Sequence, residues 1–165
     1  MLKKLLIANR GEIAIRIARA AAELGWRTVA LLAADDAQAH HASHMDAAHV
    51  LPGHGVAAFL NIEQVVAAAL AEGCTHVHPG YGLLSENAGF ARACAAAGLT
   101  FVGPAPEVLD LLGDKAQARA LARRHHVPVT AGIDTAITLA QAQAFLDDLQ
   151  AATPQAAVMV KALAG

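Results

Sequence analysis

The chain has 165 residues, of which 56% are hydrophobic and 16% are charged, and its formal net charge is −2. This composition excludes a disordered chain, and the near-neutral charge offers no electrostatic basis for binding nucleic acid. Cys74 and Cys94 are the only cysteines, which excludes a disulfide scaffold and favours a reducing compartment. Charged residues interrupt every long apolar run, and the first run stops at Asn9 and Arg10. We therefore expect a cytoplasmic protein with neither a membrane span nor a secretion signal.

Residues 4–102 alternate between strand-like and helix-like segments. Short apolar runs predict four strands, at residues 4–8, 27–33, 75–78 and 99–102. Apolar residues at helical spacing predict helices over 12–24, 62–71 and 86–97, the last two capped by Asn61 and Ser85. Strands that alternate with helices indicate an α/β fold with a parallel sheet.

The pattern changes after Pro104. Two short helices are predicted over 105–112 and 114–125, followed by a helix over 138–151 and a strand over 156–161. These elements predict a domain boundary near residues 104–113. The remaining 50 or so residues are too few to bury a good core by themselves, so we expect the chain to be the front of a longer protein.

The segment Asn9–Ala14 follows a strand and opens a helix, as the phosphate-binding turn of a dinucleotide-binding domain does. Asp35 or Asp36, at the end of the second strand, would then bind a ribose. Asn9 stands where such a turn has glycine, and Glu12 puts a negative charge where a pyrophosphate would lie. These two residues favour a structural turn over a dinucleotide site.

The segment His78–Asn87 is the densest polar cluster of the chain and contains its only tyrosine, Tyr81. It follows a predicted strand, at the end of the sheet where α/β proteins bind ligands. Two glycines and a proline give the loop a special path. The alternative is a rigid turn that only caps the next helix.

For the other candidate functional residues, the spacing in the sequence gives weaker evidence of a function. Arg16, Arg19 and Glu23 form either a solvated helix face or a subunit contact. Lys115, at a helix junction, and Lys161, at the end of a strand, are either phosphate ligands or exposed lysines. The remaining histidines are scattered without a suitable third ligand, so no zinc site is predicted; they are His40, His41, His44, His49, His54, His76 and His78.

Taken together, these motifs resemble the biotin carboxylase family, which includes parts of acyl-CoA, pyruvate and urea carboxylases. The shared blocks are Ile7–Ala14, Leu60–Ile62, His78–Asn87, Phe101–Pro104 and Gly113–Lys115. The resemblance implies a Rossmann-like N-terminal domain over residues 1–112 and the beginning of an ATP-grasp domain over residues 113–165.

The resemblance also implies an activity. The family's enzymes are ligases that use ATP with Mg²⁺ or Mn²⁺, together with bicarbonate, to form carboxyphosphate and carboxylate biotin on a carrier protein, in partnership with a carboxyltransferase. By this resemblance, Lys115 and Lys161 contact ATP phosphates and Tyr81 faces the active cleft. The homodimer contact would involve Arg16, Arg19 and Glu23.

In the family, the metal ligands and catalytic residues lie beyond the positions that match this chain. The resemblance therefore implies that residues 1–165 alone are inactive and contain no catalytic residue. Two alternatives remain open from the sequence: an NAD-type dinucleotide-binding module, and a non-catalytic dimerisation relic.

Overall fold

The computed structural model describes residues 3–161, which divide into two compact units between Gly113 and Asp114. The first unit is built on a five-stranded sheet. Its strands are β1 (Lys4–Ile7), β2 (Arg27–Ala33), β3 (Ala47–Leu51), β4 (His76–His78) and β5 (Thr100–Phe101). All neighbouring strands are parallel, which confirms the α/β class predicted from the sequence.

The strand order is β3-β2-β1-β4-β5, so β1 is central. In chain order, β2 and β3 lie on one side of β1, and β4 and β5 then lie on its other side. The strand order therefore reverses at the boundary between β1 and β4. In open α/β sheets, the carboxyl ends of two such strands diverge into a crevice.

The prediction of four strands was one too few, because the edge strand β3 carries a weak signal. Only Val50 in this strand has high strand propensity. Its position depends on the preceding residue, Asp46, whose carboxylate accepts a hydrogen bond of 2.8 Å from the Thr28 backbone N–H. The same carboxylate forms an ion pair of 2.7 Å with Arg27. This contact aligns β3 with β2.

Helices cover both faces of the sheet. They are α1 (Gly11–Glu23), α2 (Gly55–Phe59), α3 (Ile62–Ala71), α4 (Ala88–Ala96) and α5 (Pro106–Gly113). Leu5 and Ile7 of β1 pack against α1, whereas Leu6 belongs to the larger core formed with α2, α3 and α4. Cys74 and Cys94 are buried in this larger core as free thiols.

Two helix predictions need correction. The side of α1 that packs on the sheet is lined by three alanines, Ala14, Ala18 and Ala21. Leu24, the last residue of the predicted helix over 12–24, lies just after α1 and is 70% exposed. Small side chains allow the helix to approach the sheet closely. Helix α4 begins at Ala88 with Asn87 as its cap, whose side chain accepts from the Phe90 N–H at 3.0 Å.

The second unit contains α6 (Lys115–Arg124) and α7 (Leu139–Ala152). Asp114 caps α6 by accepting hydrogen bonds from two backbone N–H groups, and Asp134 forms ion pairs with Arg119 and Arg123 on the same helix. The predicted strand over 156–161 was wrong, because in the described part of this unit the segment has no partner strand to pair with. Between residues 3 and 161, no helix is long and apolar enough to cross a membrane.

Candidate functional site

The two polar motifs of the first unit meet at the crevice between β1 and β4. The Asn9 side chain, at the end of β1, donates hydrogen bonds of 2.7 Å to the Pro79 carbonyl and 2.9 Å to the Tyr81 carbonyl. The Asn9 side-chain oxygen Oδ1 accepts a hydrogen bond of 2.9 Å from the Arg10 backbone N–H. Asn9 is only 6% exposed. One buried amide therefore anchors the loop that carries Tyr81.

Gly80 makes this close approach possible. Its φ is +68°, in the left-handed region. A Cβ at this position would lie 2.5 Å from the Asn9 Nδ2 atom and 2.8 Å from the Ile13 Cγ2 atom. Any side chain here would therefore collide with the residue that holds the loop.

The rest of the loop is also strongly constrained. Gly82 has φ +63° and accepts a hydrogen bond of 2.9 Å from the Ser85 N–H. Leu83 has φ +46°, a conformation that costs about 1–3 kcal/mol for a residue with a Cβ. The next side chain, Leu84, is buried in the core and fixes the far end of the loop. The loop thus has one path, which presents the side chain of Tyr81 outward.

Tyr81 stands at a mostly apolar cavity of about 450 Å³ between α1 and the uncovered faces of β4 and β5. The phenol is not enclosed, since the residue is 64% exposed. Apolar side chains of α1 and the sheet form most of the wall, among them Ile13, Ile17, Trp26 and Val102.

His78 supplies a polar group in the wall of this cavity. Its Nδ1 atom accepts a hydrogen bond of 3.0 Å from the Gly80 N–H, so the neutral ring carries its proton on Nε2. Burial lowers the pKa of His78 and favours this neutral form. An imidazole N–H and a phenol beside an apolar wall suit a ligand with an apolar body and a polar edge.

The structure does not favour a dinucleotide at this crevice. The Asn9 amide already occupies the space and is bound to two carbonyls. Asp35, the predicted ribose ligand, accepts a hydrogen bond of 2.9 Å from the Gly55 N–H, and this bond lowers the pKa of its carboxyl. Glu12 is exposed in the first turn of α1, where a phosphate would meet its charge.

The other predicted residues lie on open surfaces. Arg16, Arg19 and Glu23 are exposed on α1, and Arg16 also lines the cavity beside Tyr81. None of the three is ion-paired within the part of the chain that the structure describes. Lys115 is exposed at the first position of α6, and Lys161 is exposed in the irregular segment after α7. Their joint contact with one nucleotide stays a prediction.

Residues 1–109 match the family described as "Biotin carboxylase, N-terminal domain". The chain belongs to this family. The resemblance seen in the sequence motifs is thereby confirmed, and the Asn9–Tyr81 crevice is a feature of this chain's biotin carboxylase N-terminal domain.

Two curated relatives show where such a domain occurs. The chain is 48% identical to mitochondrial pyruvate carboxylase of Mus musculus over 140 residues, which is 83% of this chain and 12% of that protein. It is 46% identical to the biotin carboxylase of Halalkalibacterium halodurans over 138 residues, covering 83% of this chain and 30% of that protein. The chain therefore spans less than a third of either relative.

Solved structures give the same result. The biotin carboxylase domain of a single-chain bacterial carboxylase matches with a TM-score of 0.85 at 54% identity, over 89% of this chain and 34% of that one. The biotin carboxylase domain dimer of 2-oxoglutarate carboxylase from Hydrogenobacter thermophilus, in complex with MgADP, ADP and bicarbonate, matches with a TM-score of 0.83 at 40% identity. That match covers 90% of this chain and 33% of the neighbour.

Proposed function

We propose that this chain is the N-terminal segment of an ATP-dependent biotin carboxylase, a ligase that forms a C–N bond between bicarbonate carbon and a ureido nitrogen of biotin. The observation that carries the proposal is the Asn9-anchored loop, which presents Tyr81 and His78 at an apolar cavity. Biotin has an apolar ring and chain with a polar ureido edge, so it matches the chemistry of this wall. The family match and the bicarbonate-bound neighbour support the same reaction.

In the proposed reaction, bicarbonate attacks the γ-phosphate of ATP and the bond to ADP breaks. The resulting carboxyphosphate divides into inorganic phosphate and CO₂, and the CO₂ bonds to the ureido nitrogen of biotin as that nitrogen loses its proton to the phosphate. Phosphoryl transfer of this kind depends on positioning and on neutralising negative charge. Lys115 is assigned this role because its exposed side chain supplies a positive charge at the start of α6. Lys161 is proposed as a second phosphate contact.

The described residues do not supply a site for the magnesium that accompanies ATP. Between residues 3 and 161, no three His, Cys, Asp or Glu side chains are grouped as a metal site would require. We therefore assign this chain phosphate contacts and one wall of the biotin site. The metal ligands, with Mg²⁺ or Mn²⁺, belong to the remainder of the carboxylase in this proposal.

We also propose that α1 forms a homodimer contact. Arg16, Arg19 and Glu23 present charges of both signs on one exposed helix surface, and a two-fold axis can pair such charges between subunits. The neighbour from H. thermophilus is a domain dimer. The biotin carboxyl carrier protein or domain, and the carboxyltransferase, complete the proposed set of partners. The cytoplasmic location stays a prediction.

A chimera tests the proposed function. This chain replaces the matching N-terminal 30% of the H. halodurans biotin carboxylase, and ADP release is measured with and without bicarbonate and free biotin. The expected result is bicarbonate-dependent ADP release that biotin stimulates. If the chimera folds but hydrolyses no ATP, the proposed function is contradicted, and only a structural or dimerisation role remains for this chain.

Single substitutions in that chimera separate the two binding roles. Tyr81→Phe removes only the phenolic hydroxyl and should raise KM for biotin several-fold, with KM for ATP unchanged. Lys115→Gln should raise KM for ATP about tenfold, which corresponds to about 1.4 kcal/mol of lost binding. Arg124→Gln, at the opposite end of α6, is the matched control and should change neither value. An equal effect of Lys115→Gln and Arg124→Gln would remove Lys115 from the ATP site.

A further inference from the structure

Two exposed histidines lie together on the short 3₁₀ turn His40–His44, far along the chain from the Tyr81 loop. The Nε2 atoms of His40 and His44 are 3.2 Å apart. Their ring centroids are 4.9 Å apart and the ring planes are nearly perpendicular, at 87°. The sequence spacing predicted no zinc site here, but one turn of helix brings these two side chains together.

The backbone that carries the two rings is fixed to the core. His41, between them, is 3% exposed, and its Nε2 atom lies 2.9 Å from the Leu31 carbonyl of strand β2. The Ser43 hydroxyl donates a hydrogen bond of 2.8 Å to the His40 carbonyl. The turn also packs against α1. The His40 and His44 rings are therefore held side by side without any ligand.

Their separation is suited to a metal ion. Imidazole nitrogens bind Zn²⁺ at about 2.0–2.1 Å, so two nitrogens 3.2 Å apart subtend about 100° at the metal. That angle lies between those of octahedral and tetrahedral sites. In the free protein one Nε2–H must donate to the other nitrogen. Chelation requires that both rings carry their protons on Nδ1 and that both Nε2 lone pairs point toward the same ion.

We propose that His40 and His44 form a two-imidazole binding site for a divalent metal ion of the Zn²⁺, Ni²⁺ or Cu²⁺ class. Imidazole prefers these ions, whereas Mg²⁺ requires oxygen ligands. Within residues 3–161, no third His, Cys, Asp or Glu joins the pair, so water fills the other positions. The site is independent of the proposed carboxylase chemistry.

Two other histidines of the first unit have polar partners, and its two cysteines are buried. The His49 Nδ1 atom lies 3.1 Å from the Glu72 carboxylate, and the His78 Nδ1 atom accepts from the Gly80 N–H. Cys74 and Cys94 are buried, and burial raises the pKa of each thiol to about 11. His40 and His44 are instead exposed with their nitrogens facing each other.

Isothermal titration of the untagged chain with NiCl₂ and with ZnCl₂, in a buffer containing excess MgCl₂, tests the site. The expected result is one ion bound per chain. His40→Gln and His44→Gln should each weaken binding at least tenfold, because a single imidazole remains. His54→Gln and His125→Gln, which change exposed histidines elsewhere, should stay within twofold of the original chain.

Thermal unfolding gives a second readout. Ni²⁺ should raise the Tm of the original chain, because a ligand that binds only the folded state stabilises it, and should not raise the Tm of His44→Gln. Circular dichroism without metal confirms that the variants fold. The proposal is overturned if no ion binds at millimolar concentration, or if the four substitutions weaken binding equally.

Discussion

The Asn9-anchored loop can be tested with two glycine-to-alanine substitutions that differ in one respect. Gly80 and Gly82 have nearly the same backbone conformation, with φ of +68° and +63°. A Cβ at position 82 meets nothing within 4 Å, whereas at position 80 it would lie 2.5 Å from the Asn9 Nδ2 atom. Gly82→Ala therefore measures the backbone cost alone, and Gly80→Ala adds the collision.

The expected difference follows from the contacts that the collision would break. An alanine in the left-handed region costs about 1–2 kcal/mol, and both variants bear this cost. Displacing Asn9 also removes its hydrogen bonds to the Pro79 and Tyr81 carbonyls, each of which contributes about 0.5–1.5 kcal/mol. We therefore expect Gly80→Ala to lose about 1–3 kcal/mol more free energy of unfolding than Gly82→Ala.

Urea unfolding followed by circular dichroism measures both free energies, and hydrogen exchange locates the change. Amide exchange should accelerate from Pro79 to Leu84 in Gly80→Ala more than in Gly82→Ala. Asn9→Ala completes a double-mutant cycle. In a chain that carries Asn9→Ala, Gly80→Ala should lose less additional free energy of unfolding relative to Gly82→Ala, because only the close contact with Ile13 remains. Equal costs for Gly80→Ala and Gly82→Ala in the original chain would refute the anchoring role of Asn9.

Two further predictions concern ion pairs away from this loop. His49 and Lys4 lower the pKa of the Glu72 carboxyl below its usual value. The ionised Glu72 therefore stabilises the folded state fully at pH values above its unfolded-state pKa. This stabilisation is lost as the pH falls through the lower pKa of the folded state. Glu72→Gln should therefore flatten the acid limb of the stability–pH curve measured by urea unfolding, whereas the exposed Glu63→Gln should not. Asp134→Asn breaks the ion pairs with α6 and should speed trypsin cleavage in the second unit without altering urea unfolding of the first; equal cleavage rates would contradict it.

The sequence predicted most of the fold because the strands β1 and β2 are largely apolar runs, and β4 is bounded by Pro79 and Gly80. Such runs are typical of parallel strands that are buried on both faces. The edge strand β3 was missed because its position depends on the hydrogen bond from the Thr28 backbone N–H to the Asp46 carboxylate. These two residues are 18 positions apart in the chain. The opposite error, a strand over 156–161, has the same cause: an apolar segment becomes a strand only by pairing.

The site was predicted in part. The Tyr81 loop could be placed at the carboxyl end of a strand from its glycines and its position alone. The role of Asn9 could not, because it requires β1 and β4 to be neighbours, although they are separated by two other strands in the chain. Similarly, the spacing of His40 and His44 was visible, but the facing of their nitrogens depends on the buried His41 between them.

The position of Asn9 explains how a Rossmann-like topology serves a different purpose here. In dinucleotide-binding domains, glycine at the end of the first strand leaves the crevice open for a pyrophosphate. In this chain an amide fills that crevice and binds the carbonyls of the neighbouring loop. The sheet then supports the loop that carries Tyr81, and in the proposed function the binding surface is the apolar cavity beside α1. A polar residue at this one position thus turns the place where other such domains bind a pyrophosphate into an anchor for the Pro79–Tyr81 loop.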